Sequence, residues 1–399
     1  MFKLYCRAYQ GVFRIAAHFL PWRRPELLQG EGSLEKLPGF MKEKGLDNVL
    51  VVTDEGLMSL GLLDGMLAGF DAAGIRYAVY DGTVPNPTID NIEEALEMYK
   101  VNKCQGIVAF GGGSPMDCAK GVAARVARPN KSIPQMKGQL KVLKKTPPLV
   151  AIPTTAGTGS ETTLAAVITN ARTHEKYAIN DTALIPGYAV LDPLLTVNLP
   201  PQITATTGVD ALTHAVEAYI GRSNTKQTRR DARDAVKLIY DYLYAAYTDG
   251  SDLTARAKMQ EAAFLAGAAF TRAYVGYVHA IAHTLGGFYS VPHGLANAVI
   301  LPYILEYFGS SIHRQLAELA DLVGLGGGEE TLAGKAQRFI EWVKDLNRRM
   351  DIPTKIQGIK EQDIPLMAER AYQEAHPLYP VPKLMSRQEM IGIYHLIKE

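Results

Sequence analysis

The chain has 399 residues, of which 47% are hydrophobic and 21% charged, and its formal net charge at pH 7 is +1. This is the composition of an ordinary globular protein, and the length favours two domains over one. A charge so close to balance gives no electrostatic basis for binding nucleic acid, so no nucleic-acid partner is expected. No run of about 18 uncharged apolar residues occurs, so no membrane span is expected.

Three cysteines, Cys6, Cys104 and Cys118, are spread along the chain without the spacing of a metal site. An odd number of widely separated cysteines favours a reducing compartment without disulfides. We therefore expect a cytoplasmic protein.

The first 28 residues are rich in aromatic and basic side chains. The basic residues are Lys3, Arg7, Arg14, Arg23 and Arg24, against one acid, Glu26. The apolar residues fit one helical face only loosely, Arg14 interrupts any signal-peptide core, and no small-residue cleavage site follows. Two roles stay open for this extension: an interfacial membrane helix, or a helix packed against the body of the protein or a partner subunit.

Short apolar segments alternate with helical patterns in the first half of the chain. Predicted strands cover residues 48–53, 76–80, 106–110 and 149–152, and predicted helices cover 60–73, 89–101 and 116–127. This alternation predicts a parallel sheet with helices on both faces, where both sides of each strand are buried. The segment 131–145 carries five lysines and is predicted to be a solvated loop.

The pattern changes at Leu199-Pro200-Pro201, after which nearly every segment has helical periodicity. Predicted helices cover residues 203–220, 226–247, 252–271, 275–285, 295–307, 310–323, 331–349 and 361–374. The sequence therefore predicts an N-terminal extension over 1–28, an α/β domain over 29–199 and an all-helical domain over 200–399.

A group of histidines in the helical half indicates a metal site. Asp210 and His214 are four residues apart, so they share one face of a helix, and His279 and His283 repeat that spacing. A Gly286-Gly287 break is expected to turn the chain back before His293. Three imidazoles and one carboxylate can hold Fe, Zn, Co or a similar divalent ion. The alternative is a set of packed core histidines, but three of nine histidines falling between 279 and 293 favours the metal.

The string GIVAFGGGSPMDCAKG reads as a strand, a glycine turn and a helix. We expect Ser114 to cap this helix, with Pro115 at its first position. The helix N-terminus then offers N–H groups to a pyrophosphate, although the string is not the usual G-x-G-x-x-G fingerprint. A plain turn is the alternative.

Two further segments at strand ends suit a nucleotide. Asp54 ends the first predicted strand, where its carboxylate is placed to hold a ribose diol. The hydroxyl-rich loop Pro153–Glu161 follows a later strand and is placed to contact phosphate or ribose. The alternative for this loop is an ordinary turn in which Thr158 or Ser160 caps a helix.

Five strings occur together in this order: GGGSPMD, PTTAGTGSE, GVDALTHAVEAY, HAIAHTLGGFYSVPHG and GLANAVILP. Together they resemble the iron-containing (group III) alcohol dehydrogenases, and the resemblance runs from about residue 30 to the C-terminus. It implies an N-terminal dinucleotide-binding α/β domain with a parallel sheet, an all-α C-terminal domain, and an active site in the cleft between them.

The resemblance also implies roles by position. The metal ligands would be Asp210, His214, His279 and His293, and His283 would be a catalytic residue facing the nicotinamide. The cofactor-binding residues would be Gly112, Gly113, Ser114 and Asp117 at the pyrophosphate, Thr154, Thr155, Thr163 and Lys176 at the ribose and nicotinamide, and Asn86 at the adenine. Asp54 matches the position where an acid favours NAD over NADP. The stretch before His279 departs from many members in having Arg272, Tyr274 and Tyr277, which would reshape the pocket if a tyrosine entered it.

The activity implied is reversible hydride transfer between NAD and a primary alcohol or diol, dependent on Fe²⁺, with Zn²⁺ as a substitute that the usual affinity order favours. His283 would relay the proton to solvent, or would only shape the pocket. The alternatives are a glycerol-type polyol dehydrogenase, a dehydroquinate synthase-like metal lyase, or a non-catalytic assembly or membrane-associated protein. The family implies a homodimer or larger assembly.

Overall fold

The computed structural model describes residues 1–172, 175–328 and 330–399. These residues divide into two compact units, an α/β unit over Pro21–Asn198 and a helical unit over Leu199–Glu399. The helical unit also includes Met1–Leu20, which carries the first helix, α1 (Phe2–Ala16). The N-terminal helix therefore packs with the C-terminal half of the chain.

Nine strands and five helices make up the described part of the α/β unit. The strands are β1 (Glu26–Gln29), β2 (Asn48–Val52), β3 (Arg76–Tyr80), β4 (Gly106–Gly111), β5 (Gly138–Gln139), β6 (Leu149–Pro153), β7 (Ala165–Asn170), β8 (Glu175–Asn180) and β9 (Tyr188–Leu191). The helices are α2 (Leu37–Glu43), α3 (Glu55–Ser59), α4 (Asp64–Ala72), α5 (Ile89–Val101) and α6 (Gly113–Ala127).

Six of these strands form one sheet in the order β1-β9-β6-β4-β2-β3, and every neighbouring pair is parallel. All residues of β2, β4 and β6 are buried, as expected for strands covered on both faces. Gly111 at the end of β4 pairs with Pro153 at the end of β6. The glycine loop and the threonine-rich loop therefore leave the same edge of the sheet side by side, where α/β sheets bind nucleotides.

The bounds of one predicted helix and the solvation of one predicted loop in this unit were wrong. The helix predicted over 60–73 begins later, at Asp64 of α4, because Gly61 with φ 66° lies before it, and the short helix α3, which Asp54 caps, was not predicted. The loop predicted over 131–145 is only partly solvated: Ile133, Met136 and Val142 are fully buried, while Lys137 and Lys141 are exposed. The lysine content therefore predicted more solvent exposure than the segment has, because its apolar side chains are buried in the unit.

The helical unit contains nine further helices in its described part. They are α7 (Pro201–Ile220), α8 (Lys226–Thr248), α9 (Leu253–Ala273), α10 (Tyr277–Tyr289), α11 (His293–Phe308), α12 (His313–Leu322), α13 (Leu332–Arg349), α14 (Ile364–Ala375) and α15 (Arg387–Ile397). The parallel-sheet unit and the helical unit confirm the predicted fold class.

Among the described residues, no single helix has the length and apolar character needed to cross a membrane. The bent pair His293–Ser311 and His313–Leu322, at 117°, passes that test by length and composition alone.

Helix α7 is the central element for the candidate site because it is enclosed on all sides. Every residue from Gly208 to Ile220 is buried, including Asp210, His214 and Glu217. Buried polar groups of this kind need hydrogen-bond or ionic partners. The arrangement of those partners defines the site.

Candidate active site

Three helices bring together the four side chains predicted to bind a metal. Asp210 and His214 lie on α7, His279 on α10 and His293 on α11. One ligand atom from each residue lies within 4.8 Å of those of the other three. The first three side chains are at most 3% exposed, whereas His293 is partly exposed. His293 is therefore the one ligand of the four with appreciable access to solvent.

The chain turn that brings His293 to the cluster is not where the sequence predicted it. Helix α10 runs through Gly286 and Gly287 and ends at Tyr289. The turn is at Ser290, which has φ 54°, and Pro292 precedes the first residue of α11. The left-handed cap ends one helix and the proline starts the next, so the glycine pair is not needed as a break.

Glu217 orients His279 from the side away from the cluster. Its Oε2 accepts hydrogen bonds from His279 Nδ1 at 2.7 Å and from the Gly276 N–H at 2.8 Å. Its Oε1 accepts from the Val278 N–H at 2.9 Å. Because Nδ1 carries the proton in this bond, Nε2 is left as the lone-pair nitrogen of His279. Glu217 was not among the residues predicted from the sequence, although it lies three residues after His214 on the buried helix.

Asn297 on α11 marks the point where the cluster converges. Its side chain is fully buried, and its Nδ2 donates to Asp210 Oδ1 at 2.6 Å. The same nitrogen lies 3.2 Å from His279 Nε2 and 3.1 Å from His293 Nε2. One carboxylate oxygen and two imidazole nitrogens thus surround Asn297 Nδ2 as hydrogen-bond acceptors. The same acceptors suit a divalent cation, so the residues present fit a metal ion.

Next to the cluster lies a chain of three polar side chains, His283, Glu374 and Tyr379. His283 stacks on His293 at 5.3 Å between ring centroids, and its Nδ1 donates to Glu374 Oε1 at 2.7 Å. The Tyr379 hydroxyl donates to the same oxygen at 2.8 Å. Burial alone would raise the pKa of Glu374, but the nearby His283 and the two hydrogen bonds leave it lowered. Burial, with Glu374 adding to it, raises the pKa of Tyr379 well above its usual value.

In the α/β unit, helix α6 begins earlier than predicted. Its first residue is Gly113 and its N-cap is Gly112, without a side-chain cap, so the prediction that Ser114 caps the helix and Pro115 opens it was wrong. The turn lies close against the threonine-rich loop: a Cβ on Gly113 would lie 3.0 Å from Thr158 Cγ2. The tight turn leaves the first N–H groups of α6 without an intrahelical partner, which suits a phosphate.

Three predicted cofactor residues meet beside this turn. The Asn86 N–H donates to Ser114 Oγ at 3.2 Å, and Lys176 Nζ donates to Asn86 Oδ1 at 2.7 Å. Asn86 has φ 59°, a left-handed conformation that asparagine tolerates better than most residues. The two hydrogen bonds of Asn86 therefore connect the loop after β3 to the start of α6 and to strand β8.

Lys120, which was not predicted from the sequence, ties the second loop to α6. Its fully buried Nζ donates to Ser160 O at 2.7 Å, and to Ser160 Oγ, Thr163 Oγ1 and Ala165 O at 2.9 Å each. Ser160 Oγ donates in turn to Asp117 Oδ1 at 3.2 Å. Burial lowers the pKa of Lys120 to about 8 and raises that of Asp117 to about 6, with each group opposing the shift of the other. Asp117 and Thr163 thus belong to an internal polar network.

The remaining predicted cofactor residues lie at strand ends. Asp54 lies two residues after the end of β2, and its Oδ1 accepts from the Leu57 N–H at 3.0 Å as the cap of α3. Thr154 follows β6, is buried, and donates its N–H to Gly111 O at 3.1 Å. Thr155 is half-buried beside it, 3.5 Å from the position a Cβ would take on Gly112. Ser160 begins a short 3₁₀ turn capped by Gly159, so neither it nor Thr158 is a helix cap.

The two tyrosines that depart from the family pattern have different positions. Tyr277 is fully buried; its hydroxyl accepts from the Met385 N–H at 2.8 Å and bonds His376 Nε2 at 2.9 Å. It is a core residue of the helical unit. The rings of Tyr274 and Phe13 of α1 pack edge to face, at 5.6 Å between centroids. Its φ of 67° lies in a region that side chains rarely adopt.

Comparison with known proteins gives a consistent match over most of the chain. Residues 25–193 match the family model described as iron-containing alcohol dehydrogenase. Residues 204–397 match the model described as Fe-containing alcohol dehydrogenase family, C-terminal.

Individual relatives match over similar spans. Alcohol dehydrogenase 4 of Schizosaccharomyces pombe is 40% identical, with 88% of this chain and 84% of that protein covered. The 1,3-propanediol dehydrogenase of Klebsiella pneumoniae is 39% identical, with 88% and 91% covered. A crystal structure of a 1,3-propanediol oxidoreductase superimposes with a TM-score of 0.90 at 36% identity, with 94% of this chain and 99% of that chain covered.

Proposed function

Since the chain belongs to the iron-containing alcohol dehydrogenase family, we propose that it catalyses reversible hydride transfer between NAD and a primary alcohol or diol. The observation that carries this proposal is the convergence of Asp210, His279 and His293 on one point, with His214 in the same buried cluster. No structural role in the core requires a carboxylate and three imidazoles at one place.

Asp210, His214, His279 and His293 hold a divalent ion, Fe²⁺ with Zn²⁺ as a substitute. When bound, the ion supplies Lewis acidity at the substrate oxygen. Glu217 holds His279 in one tautomer, and the ring of Phe270 stacks on His214 at 4.1 Å, which fixes the plane of that imidazole. Burial of the cluster keeps water away from three of its four ligands.

His283 is the residue that handles the proton. Its Nδ1–H donates to Glu374, so its Nε2 is the atom that exchanges a proton with the substrate hydroxyl. Glu374 fixes the tautomer and the orientation of His283, and Tyr379 holds Glu374 in place through a second hydrogen bond. Glu374 therefore orients His283, in the way that a carboxylate orients the catalytic base in other acid–base sites.

The domain over 29–199 binds NAD and the domain over 200–399 binds the metal. In the first, Gly112, Gly113 and Ser114 bring the N-terminus of α6 to the pyrophosphate. Asn86, on the adenine side, bonds Ser114, and Lys176, on the ribose and nicotinamide side, bonds Asn86. Thr154, Thr155, Thr163 and Asp117 line or support the adjoining loop. Asp54 favours NAD because a 2′-phosphate would face its carboxylate. NAD held by these residues would supply the hydride-transfer chemistry.

The relatives named for 1,3-propanediol point to short primary alcohols and diols as the substrate class. The protein acts as a homodimer or larger assembly in the cytoplasm. The three free, buried cysteines support a reducing compartment.

Replacing one ligand tests the proposal. His279→Ala removes an imidazole from the cluster, so bound iron and NADH-dependent aldehyde reduction should be lost together. His395→Ala, which removes an exposed histidine of α15, should retain both and serves as the control. A His279→Ala protein that stays fully metallated and active would overturn the ligand assignment.

A further inference from the structure

One side of helix α1 packs against the helical unit. Cys6 is fully buried and Gln10 is 7% exposed, and Phe13, three residues further along, packs against Tyr274. Separations of three and four residues place these side chains on one face of the helix. The family match begins at residue 25, so α1 lies outside the matched part of the chain.

This face of α1 meets the loop 376–386, which connects α14 to α15. Three prolines fall between residues 377 and 382, and a proline has no N–H group to donate. The carbonyl groups of this stretch therefore need donors from outside it, because buried backbone groups are rarely left unpaired. Gln10 supplies such a donor: its Nε2 donates to Pro377 O at 3.0 Å and to Tyr379 O at 2.8 Å.

Arg7, one turn before Gln10, extends the attachment and orients the amide. Its Nη1 donates to Val381 O at 2.8 Å and its Nη2 to Pro382 O at 2.9 Å. Nη1 also donates to Gln10 Oε1 at 2.9 Å. Because an amide has one acceptor oxygen and one NH₂ group, this bond leaves the NH₂ group of Gln10 facing the two carbonyls of the loop. Gln10 therefore makes all of its bonds in a single orientation of its amide.

Tyr379 connects this attachment to the residues that handle the proton. Its carbonyl accepts from Gln10, and its hydroxyl donates to Glu374 Oε1 at 2.8 Å. The same carboxylate oxygen accepts from His283 Nδ1 at 2.7 Å. Tyr379 is only 8% exposed, so its ring is packed and the position of its hydroxyl follows that of its backbone. Three hydrogen bonds, with the tyrosine between the first two, thus link Gln10 to His283.

We propose that Gln10 is a positioning residue of the active site, which acts on His283 through Tyr379 and Glu374. Gln10 holds the backbone of Tyr379, so that the tyrosine hydroxyl stays within hydrogen-bond distance of Glu374 and the carboxylate stays aimed at His283 Nδ1. This inference rests on the proposed function, because it takes His283 as the residue that handles the proton. Helix α1 is then part of the catalytic apparatus of this chain.

Gln10→Met tests the proposal, because methionine has a similar length and no group that donates to the two carbonyls. The kcat for NADH-dependent aldehyde reduction should fall about two- to tenfold, the effect of one or two hydrogen bonds. Bound metal and the KM for NADH should not change. Gln10→Glu keeps the acceptor for Arg7 and loses the same donors, so it should behave alike even if Gln10→Met folds poorly. Gln337→Met, at an exposed glutamine of α13, is the matched control and should keep the kcat of the unmodified protein.

A double-mutant cycle with Tyr379→Phe separates positioning from general stabilisation. Tyr379→Phe removes the hydroxyl whose position Gln10 sets, so adding Gln10→Met should lower kcat little further. Two losses that multiply would overturn the proposal, because Gln10 would then act independently of the tyrosine hydroxyl. An unchanged kcat in both Gln10→Met and Gln10→Glu would overturn it as well.

Hydrogen exchange followed by mass spectrometry gives a readout that does not depend on activity. The amides of the loop 376–386 should exchange faster in Gln10→Met than in the unmodified protein and in Gln337→Met. Unchanged exchange would overturn the attachment of the loop by Gln10. If the unmodified protein itself showed no turnover, the proposed function would fail and this role of Gln10 with it, whereas turnover with losses that multiply overturns the inference alone.

Discussion

Glu217 Oε2 and His279 Nδ1 are 2.7 Å apart, and both side chains are at most 3% exposed. A buried carboxylate behind a ligand imidazole fixes the ring tautomer and makes the remaining nitrogen a better donor to a metal. The same carboxylate accepts the Gly276 and Val278 N–H groups at the start of α10. Glu217 therefore sets both the position of the helix and the orientation of the ligand that it carries.

Glu217→Gln should weaken metal binding by about 10- to 100-fold. The substituted amide has one acceptor oxygen for three donors, and its NH₂ group opposes at least one of them. Competition with a chelator, followed by the metal content, measures the affinity. Glu318→Gln is the matched control, because Glu318 also accepts several hydrogen bonds but from Tyr219, Arg229 and Arg314. An unchanged affinity in Glu217→Gln would refute the orienting role.

Glu374→Gln should lower kcat by about tenfold or more while leaving the metal content unchanged. The amide replaces the charged acceptor of the His283 Nδ1–H by a neutral one that can also present its NH₂ group, although it keeps the shape of the site. Tyr379→Phe, which retains the carboxylate and loses only the hydroxyl donated to it, should have a smaller effect. Single-turnover kinetics with metal analysis distinguishes the two. If both variants matched the unmodified enzyme, His283 would only shape the pocket.

Asp54→Gly should raise the use of NADP relative to NAD. Removing the carboxylate removes its repulsion of a 2′-phosphate, and glycine at a helix N-cap costs only a few tenths of a kcal/mol, so α3 should persist. The ratio of kcat/KM for the two cofactors is the measurement. An unchanged ratio would exclude Asp54 as the selector.

Glu161→Gln should change how stability depends on pH. Burial raises the pKa of Glu161 from 4.5 to about 7, against the opposing hydrogen bond and Lys120. The native state therefore holds this proton at pH values where the unfolded state has released it. The stabilisation is complete below the unfolded pKa and is lost as pH rises through about 7, by at most about 1.4 kcal/mol per pH unit.

The neutral amide lacks this titration. The unfolding temperature of the unmodified protein, minus that of Glu161→Gln, should therefore fall as the pH is raised from about 5 to about 7.5. Glu175→Gln, at a half-exposed glutamate of β8, is the control. A difference that stays constant or rises with pH would contradict the raised pKa.

Much of the fold could be predicted because its elements carry strong local patterns. The predicted bounds of the strand at 76–80 and of the helix at 89–101 match β3 and α5. The antiparallel pair β7 and β8 was missed because its strands are only half-buried and lack a continuous apolar run. Helix α15 was missed because its capping box, Ser386 with Glu389, precedes only a short apolar segment.

In the candidate site too, residues that are close in the sequence could be paired in advance, and residues that are distant in the sequence could not. Asp210 and His214 could be paired from helical spacing alone, because a separation of four residues places both side chains on one face. Glu217 and His279 are 62 residues apart, and His283 and Glu374 are 91 apart, so no local pattern joins them. Their pairing depends on how α7, α10 and α14 pack, which a single sequence does not specify.

Metal-dependent hydride transfer is tested most directly by NADH oxidation with anaerobically purified protein. Fe²⁺-loaded, Zn²⁺-loaded and metal-free protein would be compared against a panel of short aldehydes, including 3-hydroxypropanal. We predict sustained NADH oxidation that requires Fe²⁺ and is absent from the metal-free protein. No turnover with any aldehyde, despite bound metal and NADH, would contradict this function and favour a lyase that uses the cofactor without net redox change.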